Sequence, residues 1–296
     1  MKRRFATLDV FTDRRFAGNP LAVVLDAFGL ETVSMQAIAR EFNHPETVFV
    51  LLPKDPANRA LLRIFTPARE LPFAGHPTVG TAVLLNRMDV GTAERQMILD
   101  EGIGPVHCSV EPISSEHGRA RFSLPQLPAE AGTAPPDPTV AAALGLSTRD
   151  LGIGAMRPSV WSAGVPIAFV PVSGLSALRG CRPEPGKLIE AFGTAPVYVF
   201  CTETFESGHS FHARMFAPAL GVPEDPATGS AAAALAGLLA AKGDLADGDH
   251  AITIEQGYEM GRPSLIRLDL ALKAGSLVSA AVGGDAVLVT EGVIEA

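Results

Sequence analysis

This chain repeats itself across its midpoint, and a duplicated chain is confined to folds built from two like halves. Three anchors recur in order. Ala17-Gly18-Asn19-Pro20-Leu21-Ala22-Val23-Val24 returns 146 residues later as Ala163-Gly164-Val165-Pro166-Ile167-Ala168-Phe169-Val170. Arg63-Ile64-Phe65-Thr66-Pro67-Ala68 returns after 151 residues as Arg214-Met215-Phe216-Ala217-Pro218-Ala219. His76-Pro77-Thr78-Val79-Gly80-Thr81-Ala82 returns after 149 as Asp225-Pro226-Ala227-Thr228-Gly229-Ser230-Ala231. In a chain of 296 residues, these offsets describe one unit present twice. The repeat breaks at one carboxylate. Setting Val48-Phe49-Val50 against Val197-Tyr198-Val199 puts Ala195 opposite Glu46, so the acid belongs to one half only.

Each half is long enough to bury its own core. The division expected is an N-terminal domain over 1–130, carrying Glu46 and His76 and open to completion by the C-terminal strand, and a C-terminal domain over 131–296 carrying Asp225. Hydrophobic residues make up 47% and mean hydropathy is +0.23, which suits a buried globular protein rather than disorder. A net charge of −8 without a Lys/Arg block argues against nucleic acid as a partner. The longest small-apolar run, Ala231 to Ala241, is shorter than the roughly 20 residues a membrane helix takes. The basic opening Met1-Lys2-Arg3-Arg4 leads into a predicted strand, not a signal-peptide apolar stretch, so a cytoplasmic protein without membrane contact is expected. Cys108, Cys181 and Cys201 are odd in number and lack metal-type spacing.

Short β-branched or alternating runs predict strands at 6–11, 21–25, 47–52, 61–65, 121–124, 167–170, 197–201, 211–216, 252–255, 265–272, 277–282 and 287–290. Helices are expected from Ser34, near 139–144, and over Pro77–Arg87 and Pro226–Ala241. The last two follow the third anchor, each with a polar residue and then Pro, as suits an N-cap and first turn. The second is Ala, Gly and Leu on every face, hence buried all round. The pattern predicts an α+β chain of two pseudo-symmetric domains, each a strand-rich barrel around one central helix. Pro125–Pro138 reads as the linker.

His76 and Asp225 are therefore expected just ahead of two buried helices. If the halves pack about a pseudo-twofold axis, both helix starts can face one cleft, where unpaired N–H groups and the positive helix ends favour a carboxylate ligand. Gly75, Gly80 and Gly229 permit close backbone approach, and Thr81, Thr228 and Ser230 add hydroxyls. Taken singly, Asp225 could be an ordinary N-cap and His76 a satisfied histidine. Glu46 stands at the mouth of an apolar strand, where partial burial would lift its carboxyl toward the range useful for moving protons. His209-x-x-His212 enters a strand and lacks a third ligand nearby in sequence. Gly102-Ile103-Gly104 and Gly152-Ile153-Gly154 lack the third glycine of a dinucleotide loop.

In combination, Asn19-Pro20-Leu21-Ala22-Val23, Glu46-Thr47, Phe73-Ala74-Gly75-His76-Pro77-Thr78, Asp225-Pro226-Ala227-Thr228-Gly229-Ser230-Ala231, Gln256-Gly257 and Gly261-Arg262-Pro263-Ser264 resemble the phenazine-biosynthesis (PhzF-like) isomerase family along nearly the whole chain. That resemblance implies the diaminopimelate-epimerase-like fold, an active site between two similar domains, a homodimer, and no metal or organic cofactor. By position it implies that Glu46 is the proton-shuttling acid/base and that His76 and Asp225 are its active-site partners. Gly75 and Ser230 match substrate-contacting positions. The phenazine enzyme of this family moves a proton of trans-2,3-dihydro-3-hydroxyanthranilate from C3 to C1. Related racemases and epimerases place a cysteine at each helix start, where this chain has His76 and Asp225. One departure is Pro45, where the phenazine enzyme carries a serine before its glutamate.

The function expected is a cofactor-independent isomerase acting on a small carboxylated substrate, with Glu46 shuttling the proton. Protonated His76 or Asp225 would assist, and Gly75, Thr228, Gly229 and Ser230 would hold the substrate. The alternatives are an amino-acid racemase or epimerase without thiols, and a non-catalytic small-molecule-binding homologue.

Overall fold

The computed structural model describes residues 1–89 and 93–296. They fall into two compact units, one of residues 1–125 with 283–296, the other of residues 126–282.

In the first unit, β1 (Lys2–Val10), β2 (Asn19–Val24), α1 (Thr32–Phe42), β3 (Glu46–Leu51), β4 (Ala60–Phe65), β5 (Glu70–Leu71), α2 (Gly75–Met88), β6 (Arg95–Glu101), β7 (Gly104–Pro112) and β8 (His117–Ser123) follow in order. β1 pairs antiparallel with β2, β2 parallel with β3, β3 antiparallel with β4, and β4 parallel with β6. β6, β7 and β8 form an antiparallel run. The second unit holds β9 (Ala129–Gly132), α3 (Asp137–Leu144), β10 (Ser159–Ser162), β11 (Pro166–Pro171), α4 (Leu175–Gly180), α5 (Pro185–Phe192), β12 (Val197–Cys201), β13 (Phe211–Ala217), β14 (Val222–Asp225), α6 (Gly229–Lys242), β15 (Gly248–Gln256), β16 (Ser264–Lys273) and the first residues of β17 (Ser276–Glu295). The later residues of β17 belong to the first unit. There they pair with both β1 and β8 and close β1, β2, β3, β4, β6, β7, β8 and β17 into a ring of eight strands.

α2 fills that ring. It touches β1, β2, β3, β6, β7 and β8, and every residue from Gly75 to Asn86 is buried. The second unit repeats the arrangement, with β11 and β12 parallel, β12 and β13 antiparallel, and β13 and β15 parallel. Its α6, whose Ala231 to Leu239 are all buried, touches β9, β10, β11 and β16. A helix built of Ala, Gly and Leu can lose water from every face at no polar cost.

Strand alternation decides which side chains meet the central helix. Phe49 and Phe65 pack outward with Met35 and Ala39 of α1, ring edge to ring face at 5.4 Å. Glu46 and Val48 therefore turn inward, toward α2. In the second unit, Val197, Val199 and Phe216 pack outward against α3 and α5, leaving Tyr198 inward. The same arginine fork ties the strand ahead of each helix: Arg63 to Glu70 at 2.7 and 2.6 Å, Arg214 to Glu224 at 2.8 and 2.9 Å.

The ladders also correct the internal alignment by one residue. Ala22 pairs with Thr47 and its counterpart Ala168 with Val197; Phe65 pairs with Thr47 and its counterpart Phe216 with Val197. Thr47 thus matches Val197, and the residue opposite Glu46 is Pro196, not Ala195. Neither is an acid, so the asymmetry stands.

Candidate active site

In the first unit, the inward turn of Glu46 brings its Oε2 to 3.3 Å from His76 Nε2. Both side chains are largely withdrawn from water, with 17% and 6% exposed. The His76 ring also bonds the Pro20 backbone, which offers only a carbonyl. Since Nε2 faces Glu46, Nδ1 is the nitrogen that donates to Pro20. Burial, helped by the nearby His44, pushes the His76 pKa down to about 3. The ring is neutral near pH 7 and presents a lone pair to Glu46. Of the two groups expected to carry the assisting proton, His76 or Asp225, burial disfavours His76, because desolvation penalises the imidazolium.

His76 lies inside the first turn of α2 rather than capping it. The N-cap is Ala74, and Gly75 opens the helix. Asp225 lies outside α6 at the end of β14, with Thr228 as N-cap and Gly229 as the first helical residue. The N-cap expectation is thus corrected for both residues: α2 starts earlier in the repeat than α6 does. The first-turn N–H groups of Gly75 and His76, and of Gly229 and Ser230, have no partner within their own helices.

In the second unit, Thr228 Oγ1 donates to Asp225 Oδ2 at 2.5 Å. Gln256, wholly buried, closes around both residues. Its Nε2 donates to the Asp225 carbonyl at 2.8 Å and to Thr228 Oγ1 at 3.0 Å, and its Oε1 accepts from the Thr228 N–H at 3.1 Å. The buried Tyr198 phenol faces Asp225, and burial with that neighbour pushes its pKa up. The Thr228 hydroxyl is thereby committed to Asp225 and Gln256. Gly229 is buried and Ser230 half-buried at the start of α6.

Sequence reasoning passed over Glu101. It ends β6 inside the first unit, its Oε1 2.7 Å from the Thr78 hydroxyl in the first turn of α2. Burial pushes its carboxyl up to about 8, so it is an acid rather than a carboxylate at neutral pH. The signal was inward alternation along Met97, Leu99 and Glu101, all buried.

The three cysteines are buried away from the starts of α2 and α6, in β7, after α4 and in β12. Burial pushes Cys181 and Cys201 up to about 12 and Cys108 higher still, which leaves no thiolate for two-thiol stereoinversion. His209 and His212 both bond the buried Glu255 through Nδ1 at 2.8 Å. Among the described residues no helix is long and apolar enough to cross a membrane.

The chain matches the family described as phenazine biosynthesis-like protein (PhzC-PhzF) over residues 8–292. An uncharacterized isomerase of Mesorhizobium japonicum is 46% identical, covering 98% of each chain. A trans-2,3-dihydro-3-hydroxyanthranilate isomerase of Pseudomonas chlororaphis is 35% identical, again over 98% of each. Among solved structures, the Bacillus anthracis phenazine biosynthesis protein of the PhzF family superposes with a TM-score of 0.88 at 26% identity, covering all of both chains. Barrel, central helix and motif agree with these matches: the fold is diaminopimelate-epimerase-like, and the chain belongs to the phenazine biosynthesis-like family of isomerases.

Proposed function

We propose that this isomerase relocates a proton on a small carboxylated substrate of the trans-2,3-dihydro-3-hydroxyanthranilate type, with Glu46 as the proton carrier and no cofactor. The observation that carries the reading is the Glu46–His76 pair. A neutral imidazole can only accept a hydrogen bond through Nε2, and an acceptor at that place favours Glu46 when it holds a proton. The carboxylate takes the proton from substrate carbon, holds it against His76, and returns it at another carbon while the double bonds shift. Electrons and atoms balance within the substrate, so no redox partner enters. For Asp225, Thr228, Gly229, Ser230 and Gly75 the support is the motif each stands in, together with the helix-start N–H groups suited to a carboxylate. The 35% identical relatives named for this isomerisation support the substrate class.

The test is incubation in D₂O with trans-2,3-dihydro-3-hydroxyanthranilate beside a panel of amino and hydroxy acids, followed by NMR. Conversion that Glu46→Gln abolishes supports the reading. Exchange confined to the α-carbon of an amino acid, with loss of optical purity, overturns it in favour of racemisation.

A further inference from the structure

The direction of every hydrogen in the Gln256–Thr228–Asp225 network is fixed by its partners. Gln256 Oε1 faces a backbone N–H, which only donates, and Nε2 faces the Asp225 carbonyl, which only accepts. The amide therefore has one orientation. Because Nε2 also donates to Thr228 Oγ1, the hydrogen of that hydroxyl is left to Asp225 Oδ2, 2.5 Å away. Oδ2 is an acceptor in this arrangement.

The backbone is shaped for this clamp. Gly257, next in the chain, has φ +77°, and a Cβ there would stand 2.6 Å from the Pro226 carbonyl and 2.5 Å from that of Arg262. Only glycine lets the end of β15 lie so close under the Asp225–Thr228 segment.

The first unit places a polar side chain at the same register position, beside a threonine hydroxyl. Ala60 pairs with Leu99 where its counterpart Phe211 pairs with Ile254, which makes Glu101 the counterpart of Gln256. Glu101 bonds Thr78, two residues after His76, as Gln256 bonds Thr228, three after Asp225. Thr78 Oγ1 also lies 2.8 Å from the Ala74 carbonyl, which only accepts. The Thr78 hydroxyl hydrogen is shared between the Ala74 carbonyl and Glu101 Oε1.

We infer that Gln256 is a positioning residue that acts through Thr228, holding the Asp225 carboxyl in one orientation with Oδ2 as acceptor. The catalytic part of this inference rests on the proposed isomerase reading; the hydrogen-bond part does not.

The test uses the full chain labelled with ¹³C at aspartate carboxyl carbons, with Asp225→Asn identifying the Asp225 signal. Thr228→Val removes the hydroxyl, Thr228→Ser keeps it, and Gln256→Leu removes the amide. Losing a donor makes a carboxylate easier to protonate, so Thr228→Val and Gln256→Leu are expected to raise the Asp225 titration midpoint by about one unit, while Thr228→Ser keeps the wild-type midpoint. With trans-2,3-dihydro-3-hydroxyanthranilate, both lesions are expected to lower kcat at least tenfold, with little change in KM for Gln256→Leu, which touches no substrate-holding group except through Thr228. A Thr228→Val protein whose Asp225 midpoint coincides with wild type overturns the inference, and this variant decides the matter if Gln256→Leu does not fold. A wild-type protein inert toward the compound defeats the substrate reading alone, because the Asp225 signal still reports on the clamp.

Discussion

His76 confronts Glu46 as an acceptor: one ring nitrogen donates to the Pro20 carbonyl, and the other offers its lone pair across 3.3 Å. A hydrogen bond forms between them when the pair holds one proton. Glu46→Gln keeps a donor toward Nε2 but cannot carry a proton. Turnover is expected to fall about 10²–10⁴-fold, the usual worth of general acid/base catalysis. Deuterium uptake from solvent measures it, with the thermal melting point checking that the fold is intact.

Acid sensitivity follows from the same ring. His76 sits at about 3 when folded and 6.5 as a free side chain, so the unfolded chain binds more protons between those values. Its contribution to stability is complete above pH 6.5 and lost as pH falls toward 3. Replacing His76 with Asn should therefore reduce the drop in urea midpoint between pH 7.5 and pH 5. An equal drop in both proteins would place the acid sensitivity elsewhere.

Glu101 gives the opposite slope. Its carboxyl sits at about 8 when folded and 4.5 as a free side chain, so the folded chain holds the extra proton across that window. Stability from this group is complete below pH 4.5 and falls as pH rises to 8. Glu101→Gln, neutral at every pH, should melt closer to wild type at pH 5 and be the more stable protein at pH 9. Paired urea titrations at the two pH values check this.

Gly237, inside α6, has no room for a side chain. A Cβ there would lie 2.7 Å from Trp161 Cε3 and 3.1 Å from Pro128 Cβ. Alanine gains about 0.5–1 kcal/mol as a helix former, whereas overpacking against a rigid indole costs about 1–3 kcal/mol. The clash wins, and Gly237→Ala should lower stability by about 1 kcal/mol in urea unfolding.

The duplicated anchors were legible because each marks a local backbone event, such as the strand after Asn19-Pro20 or the helix beside His76-Pro77. α6 was legible because its residues are apolar on every side. What escaped was set by partners distant in sequence. The start of α6 fell at Gly229 rather than Pro226 because β14 runs on to Asp225. α4 and α5 are short helices whose buried residues are only Leu178 and Leu188. Gln256 was visible as part of a motif, but its partners lie about thirty residues away, and only the β13–β15 ladder shows them to be neighbours. Glu101 stands in no motif, and the β4–β6 register is what places it opposite the helix start.

β17 has a consequence for the order of assembly on the ribosome. Residues 126–282 form the second unit without a break, so its core can be completed as soon as they emerge. The first unit cannot: β1 pairs from Lys2 to Val10 with Glu295 to Ala286, which emerge only after the whole of the second unit. Its open strand edges stay exposed while residues 126–282 are made, and contacts of such long sequence separation form slowly. The half made first is the half that folds last.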